Sequence, residues 1–392
     1  MVGNLSARRS AGGGPPDQHR LVGSHSDPTL AKADARWMRR ALEHARRGLG
    51  RTTPNPAVGA CVVTSDGVVV GDGCHERAGE PHAEIFALEE AGTRARGATL
   101  YCTLEPCAHR GRTGPCTERI IAAGIVRVVA AMEDPFPLVR GRGFAVLREH
   151  GIAVDTGVAR GEAVRLNQPF LTTIREGRPF VILKAATSLD GRLAAAEGER
   201  TQLTSAAAAR HVHYQRAQVD AIAIGSGTLL VDDPLLTARL VYRERPLTRV
   251  VFDRRLRASP DARVFSTLSA GPVIILTSLD ARHRRDERAR ALENAGATLI
   301  TVEGANLAAA VRALGAHGIQ SILLEGGAAI HQAAWDEGIV DYVQLYVAPM
   351  TLGSRGPALL ERRAFAPALL VERKVQALGP DVLIEGYVHR PD

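Results

Sequence analysis

Lysine is nearly missing from this 392-residue chain: of 49 Lys and Arg residues, only Lys32, Lys184 and Lys374 are lysine. Aromatic residues make up only 4%, too few for a surface that stacks nucleic-acid bases. No apolar run approaches the roughly 20 residues that a membrane helix needs. Neither nucleic acid nor membrane is therefore expected as a partner. The five cysteines do not form a secreted disulfide framework, so a reducing, cytoplasmic setting is expected. The net charge of +7 suits anionic ligands. Its cations, however, are interleaved with acids, as in ARHRRDERARALENAG, which reads as a solvated helix face.

What is present is a set of ligand-type side chains in a fixed order. His82-Ala83-Glu84 is followed by Glu105-Pro106-Cys107 and then Pro115-Cys116. Zinc takes nitrogen and sulfur ligands, and a catalytic site keeps three protein ligands and one open position. His82, Cys107 and Cys116 supply three, which leaves Glu84 to shuttle protons. The order matches the zinc-deaminase pattern H-x-E…P-C-x-x-C except that AHRGRTGP, eight residues, separates the two cysteines. Gly111, Gly114 and Pro115 suit a loop that swings out and returns, and a helix is predicted from Cys116 to Gly124. His109 is a spare ligand candidate. Cys61 and Cys102, in the apolar runs AVGACVV and LYCTL, read as core, and Cys74 reads as structural.

Residues 1–30 lack apolar periodicity and are expected to be disordered. They are Arg- and Ser-containing, but no amphipathic face supports a transit peptide. A first domain, 31–176, opens with a helix over Asp34–Arg47 and continues with the hairpin GACVVTSDGVVVGDGC. The helix HAEIFALEEAG, the strand ATLYCTLEP, the Cys116 helix and further α/β alternation follow. This pattern predicts an α/β sandwich with the metal ligands at two helix starts. A junction at LNQPFLTTIREGRPF leads to a second α/β domain, 177–392. Its strands are predicted at PFVILKAATSLDG, VDAIAIGS, TRVVFD, PVIILTS, ATLITVEG, SILLEGG and DYVQLYVAP.

The second domain has its own candidates. Lys184 lies inside an apolar strand. Gly326-Gly327 follows SILLEG and opens a helix, where backbone N–H groups can hold a phosphate. Ser226-Gly227-Thr228 gives only a partial G-x-G and is not a dinucleotide fingerprint. Arg254 and Arg255 directly follow VVFD and are placed to meet a ribose 2′-phosphate. Asp253 alone would favour an unphosphorylated ribose.

These segments, taken together, resemble the family of bifunctional riboflavin-biosynthesis deaminase–reductases over nearly everything after residue 30. The likeness rests on TPNPAVGACVV, GCHERAGEPHAE, TLEPCAHRGRTGPC and the EDP ending at Pro135. In the second half it rests on LKAATSLDGR, GSGTLLVDDPLLTAR, LLEGG and YVAPMTLG. The resemblance implies an N-terminal cytidine-deaminase-like α/β sandwich that binds Zn2+ and a C-terminal dihydrofolate-reductase-like α/β domain that uses NADPH. It implies deamination of 2,5-diamino-6-ribosylamino-4(3H)-pyrimidinone 5′-phosphate, then reduction of its ribosyl group to ribityl. It assigns the zinc ligands to His82, Cys107 and Cys116 and the proton donor to Glu84. Asn55 and His75 fall near the deaminase substrate. Ala186, Thr228, Asp232 and the stretch Gly327, Ala328, Ala329 and Ile330 fall at cofactor positions, to which the strand-end reading adds Arg254. Arg216, Leu236, Arg239 and Glu325 fall at positions for the reductase substrate, to which the lone strand lysine Lys184 is added. Where the family has a small polar residue and then a tryptophan, this chain has Arg200 beside the substrate and Gln202 beside the cofactor, so the indole contacts are not carried over. A homo-oligomer joined through the reductase domain is expected. The rival reading is a nucleic-acid or nucleoside deaminase whose C-terminal module only binds or dimerises, and the scattered cations and scarce aromatics disfavour it.

Overall fold

Glycines set how closely helices can lie on the first sheet. A computed structural model of the chain describes residues 28–109, 114–137, 139–304, 306–362 and 365–390. It begins with α1 (Pro28–Arg46), β1 (Gly59–Val63), β2 (Val69–Cys74), α2 (Ala83–Ala91), β3 (Thr99–Cys102), α3 (Cys116–Ala122), β4 (Arg127–Ala130), α4 (Arg142–Glu149), β5 (Ala153–Thr156), α5 (Arg160–Leu166) and α6 (Gln168–Glu176). The five strands run in the order β2-β1-β3-β4-β5, with β1 antiparallel to β2 and β3 and the remaining pairs parallel. A Cβ on Gly59 would lie 2.0 Å from the Ala41 carbonyl oxygen in α1. A Cβ on Gly73 would lie 2.0 Å from the Ala83 carbonyl oxygen in α2. The two helices cover opposite faces, which buries β1 throughout and makes the unit the expected α/β sandwich.

α1 starts at Pro28 rather than at Asp34, inside the segment expected to be disordered; residues 1–27 lie outside the described residues. Proline is well suited to the first helical position, where its missing N–H would have no partner anyway. A buried polar cluster then ties α1 to three strands. Asp34, fully buried, accepts from Tyr101 at 2.7 Å and from both terminal nitrogens of Arg127 at 2.8 Å. Arg127 also donates to Asp155.

The second sheet is built from β6 (Phe180–Thr187), α7 (Ala206–Gln218), β7 (Ala221–Gly225), α8 (Ser226–Asp232), β8 (Thr248–Phe252), β9 (Val273–Ser278), α9 (Leu279–Arg284), α10 (Asp286–Asn294), β10 (Ala297–Val302), α11 (Leu307–Ala316), β11 (Ser321–Leu324), α12 (Ala328–Asp336), β12 (Tyr342–Val347), β13 (Val371–Leu378) and β14 (Asp381–Tyr387). Its order is β10-β9-β8-β7-β11-β6-β12-β14-β13. The first seven strands in that order are parallel, and a β13–β14 hairpin closes one edge antiparallel to β12. Parallel strands covered on both faces read as largely apolar runs, which is why the six inner ones were legible. β10, at the edge and partly exposed, shows in its β-branched residues. β13 and β14 were not predicted. VERKVQAL is exposed along nearly its whole length and carries no apolar face to betray it. β11 inserts between β6 and β7, so the chain changes direction across the sheet there, and the strand ends beside it form a crevice suited to ligands.

Gly59→Ala should push α1 off the sheet and lower stability by about 1–3 kcal/mol, as overpacking does. The check is a reduced urea midpoint for the unfolding of this domain. An unchanged midpoint would mean that α1 can shift without cost.

Candidate active sites

The close seating of α2 on β2 carries two ligand-type residues to one place. His82 is the N-cap of α2, and its ring meets that of His75, just past β2, edge-on at 5.4 Å between centroids. Cys116 opens α3. Cys107 sits in the loop after β3, and its sulfur accepts the backbone N–H of Cys116 at 3.4 Å. His82 Nδ1 lies 3.3 Å from Cys116 Sγ and 3.5 Å from Cys107 Sγ. The three ligand atoms all fall within 4.8 Å of one another. A hydrogen bond from the Cys116 thiol, assisted by His82, lowers the pKa of the Cys107 thiol despite burial. Cys116, which keeps the shared proton, is pushed up. One nitrogen and two sulfurs in a buried pocket fit the donor set of a catalytic zinc.

Glu84, in the first turn of α2, is buried, and burial raises its pKa. Its Oε2 has no hydrogen-bond partner among the described residues, which leaves it available to a ligand. Glu84, His82 and Cys107 open onto a cavity of about 290 Å³, which Asn55, His75, His109, Asp134, Phe136 and Val139 also line. His109 thus reaches the cavity but stands outside the three-residue cluster. His75 Nδ1 faces the Pro81 carbonyl at 3.1 Å, and a carbonyl can only accept. The proton therefore belongs on Nδ1, and Nε2 accepts from Asn55 Nδ2 at 3.0 Å. Burial lowers the His75 pKa, in keeping with a neutral ring.

Glu105, next but one to Cys107, was not singled out from the sequence. Its carboxylate accepts backbone N–H bonds from Asp134, Gly141 and Gly143 at 3.1, 2.9 and 2.8 Å. Those bonds tie the ligand loop to the segment that carries Asp134, Phe136 and Val139. A Cβ on Gly143 would lie 1.9 Å from the Pro106 carbonyl oxygen, so only glycine allows that approach. Cys61 and Cys102 are fully buried core residues.

The second constellation gathers at the crevice beside β11. Arg216 of α7 grips Glu325 through two bonds of 2.6 and 2.8 Å. Lys184 of β6 lies 3.6 Å from the same carboxylate. Burial opposes the Glu325 charge, but Arg216 and Lys184 outweigh it and bring the group to about 2. Arg216 also donates to the Thr237 carbonyl at 2.8 Å. That bond fixes the turn in which Leu236 is buried with a φ of 52°. Arg239, three residues on, is exposed.

Across Glu325 lies the start of α12. The Gly327 N–H donates to Thr228 Oγ1 at 2.9 Å, which brings the beginnings of α8 and α12 together. A second cavity, about 400 Å³, is lined by Ser226, Gly227, Arg254, Arg257, Ala329 and Ile330. Helix starts and two guanidinium groups suit an anionic, phosphate-bearing cofactor. Ala328 lies in the same first turn of α12, and Ala186 sits on β6 opposite Tyr346. Asp232 closes α8; burial raises its pKa and the charge of Arg200 opposes this. Gln202 is exposed and donates to the Thr204 carbonyl at 2.9 Å.

Two expectations about the phosphate end need correction. Asp253 is fully buried and accepts the Ala258 N–H at 2.7 Å, so it braces its own turn instead of meeting a ribose. Arg257, not Arg255, joins Arg254 at the cavity and donates to Ser226 Oγ at 2.8 Å. The turn after β8 reverses the chain, which brings back the residue three positions after Arg254.

A metal-type cluster with a buried carboxylate on one sheet, and a cationic crevice with an anion-binding cradle on another, define a two-site enzyme in which a zinc-dependent deaminase is joined to a reductase. Comparisons with known proteins agree. Residues 31–132 match the zinc-binding region of cytidine and deoxycytidylate deaminases, and residues 179–384 match the RibD C-terminal domain. The chain is 40% identical to riboflavin biosynthesis protein RibD of Aquifex aeolicus, with 91% of this chain and 98% of that protein covered. It is 41% identical to the Escherichia coli RibD over 90% of this chain and 98% of that one. Among solved structures, RibD of Acinetobacter baumannii superposes with a TM-score of 0.79 at 37% identity, covering 91% of this chain and 98% of that one. A Thermotoga maritima diaminohydroxyphosphoribosylaminopyrimidine deaminase/5-amino-6-(5-phosphoribosylamino)uracil reductase gives a TM-score of 0.79 at 34% identity, covering 91% and 99%. The chain belongs to the RibD family of bifunctional riboflavin-biosynthesis deaminase–reductases. Its halves are a cytidine-deaminase-like domain and a dihydrofolate-reductase-like domain, and the family implies Zn2+ and NADPH as cofactors.

Cys116→Ala should abolish stoichiometric zinc, read by metal analysis of the purified protein, whereas Glu84→Gln should keep it. Loss of zinc from Glu84→Gln would make Glu84 a ligand and overturn its assignment.

Proposed function

We propose that the first domain, 31–176, deaminates 2,5-diamino-6-ribosylamino-4(3H)-pyrimidinone 5′-phosphate. The second domain, 177–392, then reduces the ribosyl group to give 5-amino-6-ribitylaminouracil 5′-phosphate. The observation that carries this reading is the unpartnered Oε2 of buried Glu84, set in the same cavity as His82 and Cys107. The Thermotoga protein, named for these two activities, supports it.

Zn2+ held by His82, Cys107 and Cys116 would supply a Lewis acid that makes water nucleophilic near neutral pH. Glu84 Oε2 takes one proton from the attacking water and passes it to the ring nitrogen. It then takes the second from the new C–OH group and passes it to the amino group, which leaves as ammonia as the C–N bond breaks and the C=O forms. The other buried carboxylate nearby, Glu105, is committed to three backbone N–H groups and holds the cavity wall instead. Asn55 presents the rest of its amide to the edge of the pyrimidine, and neutral His75 orients it by accepting from Nδ2 and lines the pocket with its ring.

In the second domain NADPH supplies the hydride. Lys184, Arg216 and Glu325 orient the sugar, and Arg239 meets the substrate phosphate from the exposed rim. Thr228, Asp232 and the α12 start at Gly327, Ala328, Ala329 and Ile330 hold the cofactor. Arg254 and Arg257 take its ribose 2′-phosphate. Ala186 and Gln202 would help hold the cofactor, and Leu236 and Arg200 the substrate. A homo-oligomer through the reductase domain is part of this reading, and the exposed outer strand β13 supports it. A cytoplasmic setting is supported by five cysteines without a disulfide, and no helix among the described residues is long and apolar enough to cross a membrane.

Incubation with the diaminopyrimidine phosphate should release ammonia without NADPH, and oxidation of NADPH should follow only after deamination. Glu84→Gln should slow ammonia release at least about 10²-fold and spare reduction of the supplied deaminated intermediate. If both activities vanish in a folded Glu84→Gln protein, the two sites are not independent.

Replacing both Arg254 and Arg257 by Ala should raise the Michaelis constant for NADPH at least about tenfold, since each charge-assisted bond contributes roughly 1.5–3 kcal/mol. The constant for NADH should stay nearly unchanged. Equal effects on the two cofactors would remove these arginines from the 2′-phosphate site.

A further inference from the structure

Asn55 and His75 reach the deaminase cavity from two separate segments, and the second domain contacts both. Asn55 ends a tight turn in which Arg51 N–H bonds to the Gly48 carbonyl and Asn55 N–H to the Thr52 carbonyl. His75 directly follows β2, and Arg77 lies two residues beyond it. Arg51 and Arg77 converge on one carboxylate, that of Glu244. Arg51 Nη2 lies 2.8 Å from Glu244 Oε2, and Arg77 Nη2 contacts Oε1. Arg77 also lies 3.8 Å from Glu80 of its own segment.

Glu244 is held stiffly. Its neighbour Arg243 donates to the Arg216 and Ala217 carbonyls at 3.1 and 2.6 Å, which satisfies the end of α7, and to the Arg245 carbonyl at 2.5 Å. Arg245 in turn pairs with Asp220 at 3.1 Å. A second bond between the domains falls on the same turn, where Gln320 Nε2 donates to the Pro54 carbonyl at 2.9 Å. The backbone there is pressed close, since a Cβ on Gly50 would lie 2.3 Å from the Ala217 carbonyl oxygen.

We propose that Glu244, a residue of the reductase domain, is a positioning residue for the deaminase site: by binding Arg51 and Arg77 at once it holds Asn55 against His75. Its effect is one of sign as well as contact. With the carboxylate present, two guanidinium groups are drawn together; without it, like charges in the same place repel and spread the segments that carry Asn55 and His75. Glu244, Arg51 and Arg77 belong neither to the three-residue zinc-type cluster nor to the lining of the cofactor cavity. The proposal rests on the reading that Asn55 and His75 bind the deaminase substrate.

The test is steady-state deamination by the full-length, zinc-loaded protein carrying Glu244→Gln, alone and combined with Asn55→Ala. The exposed side chains limit the gain from each pair, so KM for the diaminopyrimidine phosphate should rise about three- to tenfold. The turnover number should stay within about twofold, with zinc content and reduction of the supplied intermediate unchanged. In the Asn55→Ala background the second substitution should add almost nothing, the non-additivity expected of coupled residues. Raising the salt should increase KM for the wild-type protein more than for Glu244→Gln, because screening weakens exposed ion pairs. A normal Asn55→Ala penalty with wild-type behaviour of Glu244→Gln overturns the positioning role alone. Loss of zinc, or parallel loss of both activities, overturns it in favour of general domain seating. An Asn55→Ala protein with wild-type KM refutes the substrate-site reading and the proposal with it.

Discussion

The first site depends on how closely α2 can lie on β2. Gly71 and Gly73 face the backbone of α2, and a Cβ at either would sit about 2 Å from a carbonyl oxygen of that helix. With the helix pressed down, His82 at its cap and Glu84 in its first turn project past the end of the strand, beside His75. A larger residue on that face would lift the helix start and carry both away from Cys107 and Cys116. Metal geometry here is therefore a packing outcome, because interiors are too dense to absorb even one added methyl group without movement. Glu105 and Gly143 do the same for the other side of the cavity, one by accepting three N–H groups and the other by leaving room for the Pro106 carbonyl.

The two sites use charge in opposite ways. In the first, the ionisable groups crowd together under burial, with a lowered Cys107 thiol, a raised Glu84 and a neutral His75. Such a site waits for a cation and for a proton to move. In the second, Arg216 and Lys184 hold Glu325 ionised, and helix starts with Arg254 and Arg257 face the neighbouring cavity. Such a site waits for phosphates. The scarcity of lysine sharpens this division, since arginine forks can pair with carboxylates and phosphates through two bonds at once.

The three-residue cluster was legible because its residue types are rare and chemically particular. His82, Cys107 and Cys116 keep their order, and His82 and Cys116 their helix starts, whatever the intervening loop does. Six of the seven parallel strands were legible because burial on both faces leaves a largely apolar run, and edge strand β10 because of its β-branched residues. β13 and β14 were not, since an exposed edge strand such as VERKVQAL has no buried face to record. The start of α1 at Pro28 was also missed, because its first turn is exposed and packs too little to impose a pattern.

The amino-acid sequence by itself determined the His82, Cys107 and Cys116 cluster, the carboxylate of Glu84 beside it, the division into a deaminase half and a reductase half, and the apolar strands that build them. These are matters of residue chemistry and local periodicity. Only the tertiary structure decided which arginine stands beside Arg254, that Asp253 turns inward, that Glu105 braces the ligand loop, and that Glu244 reaches across to Arg51 and Arg77. Each of those depends on where a turn reverses or on which distant segments meet, and neither direction nor distance in space is encoded in the identity of a single charged residue.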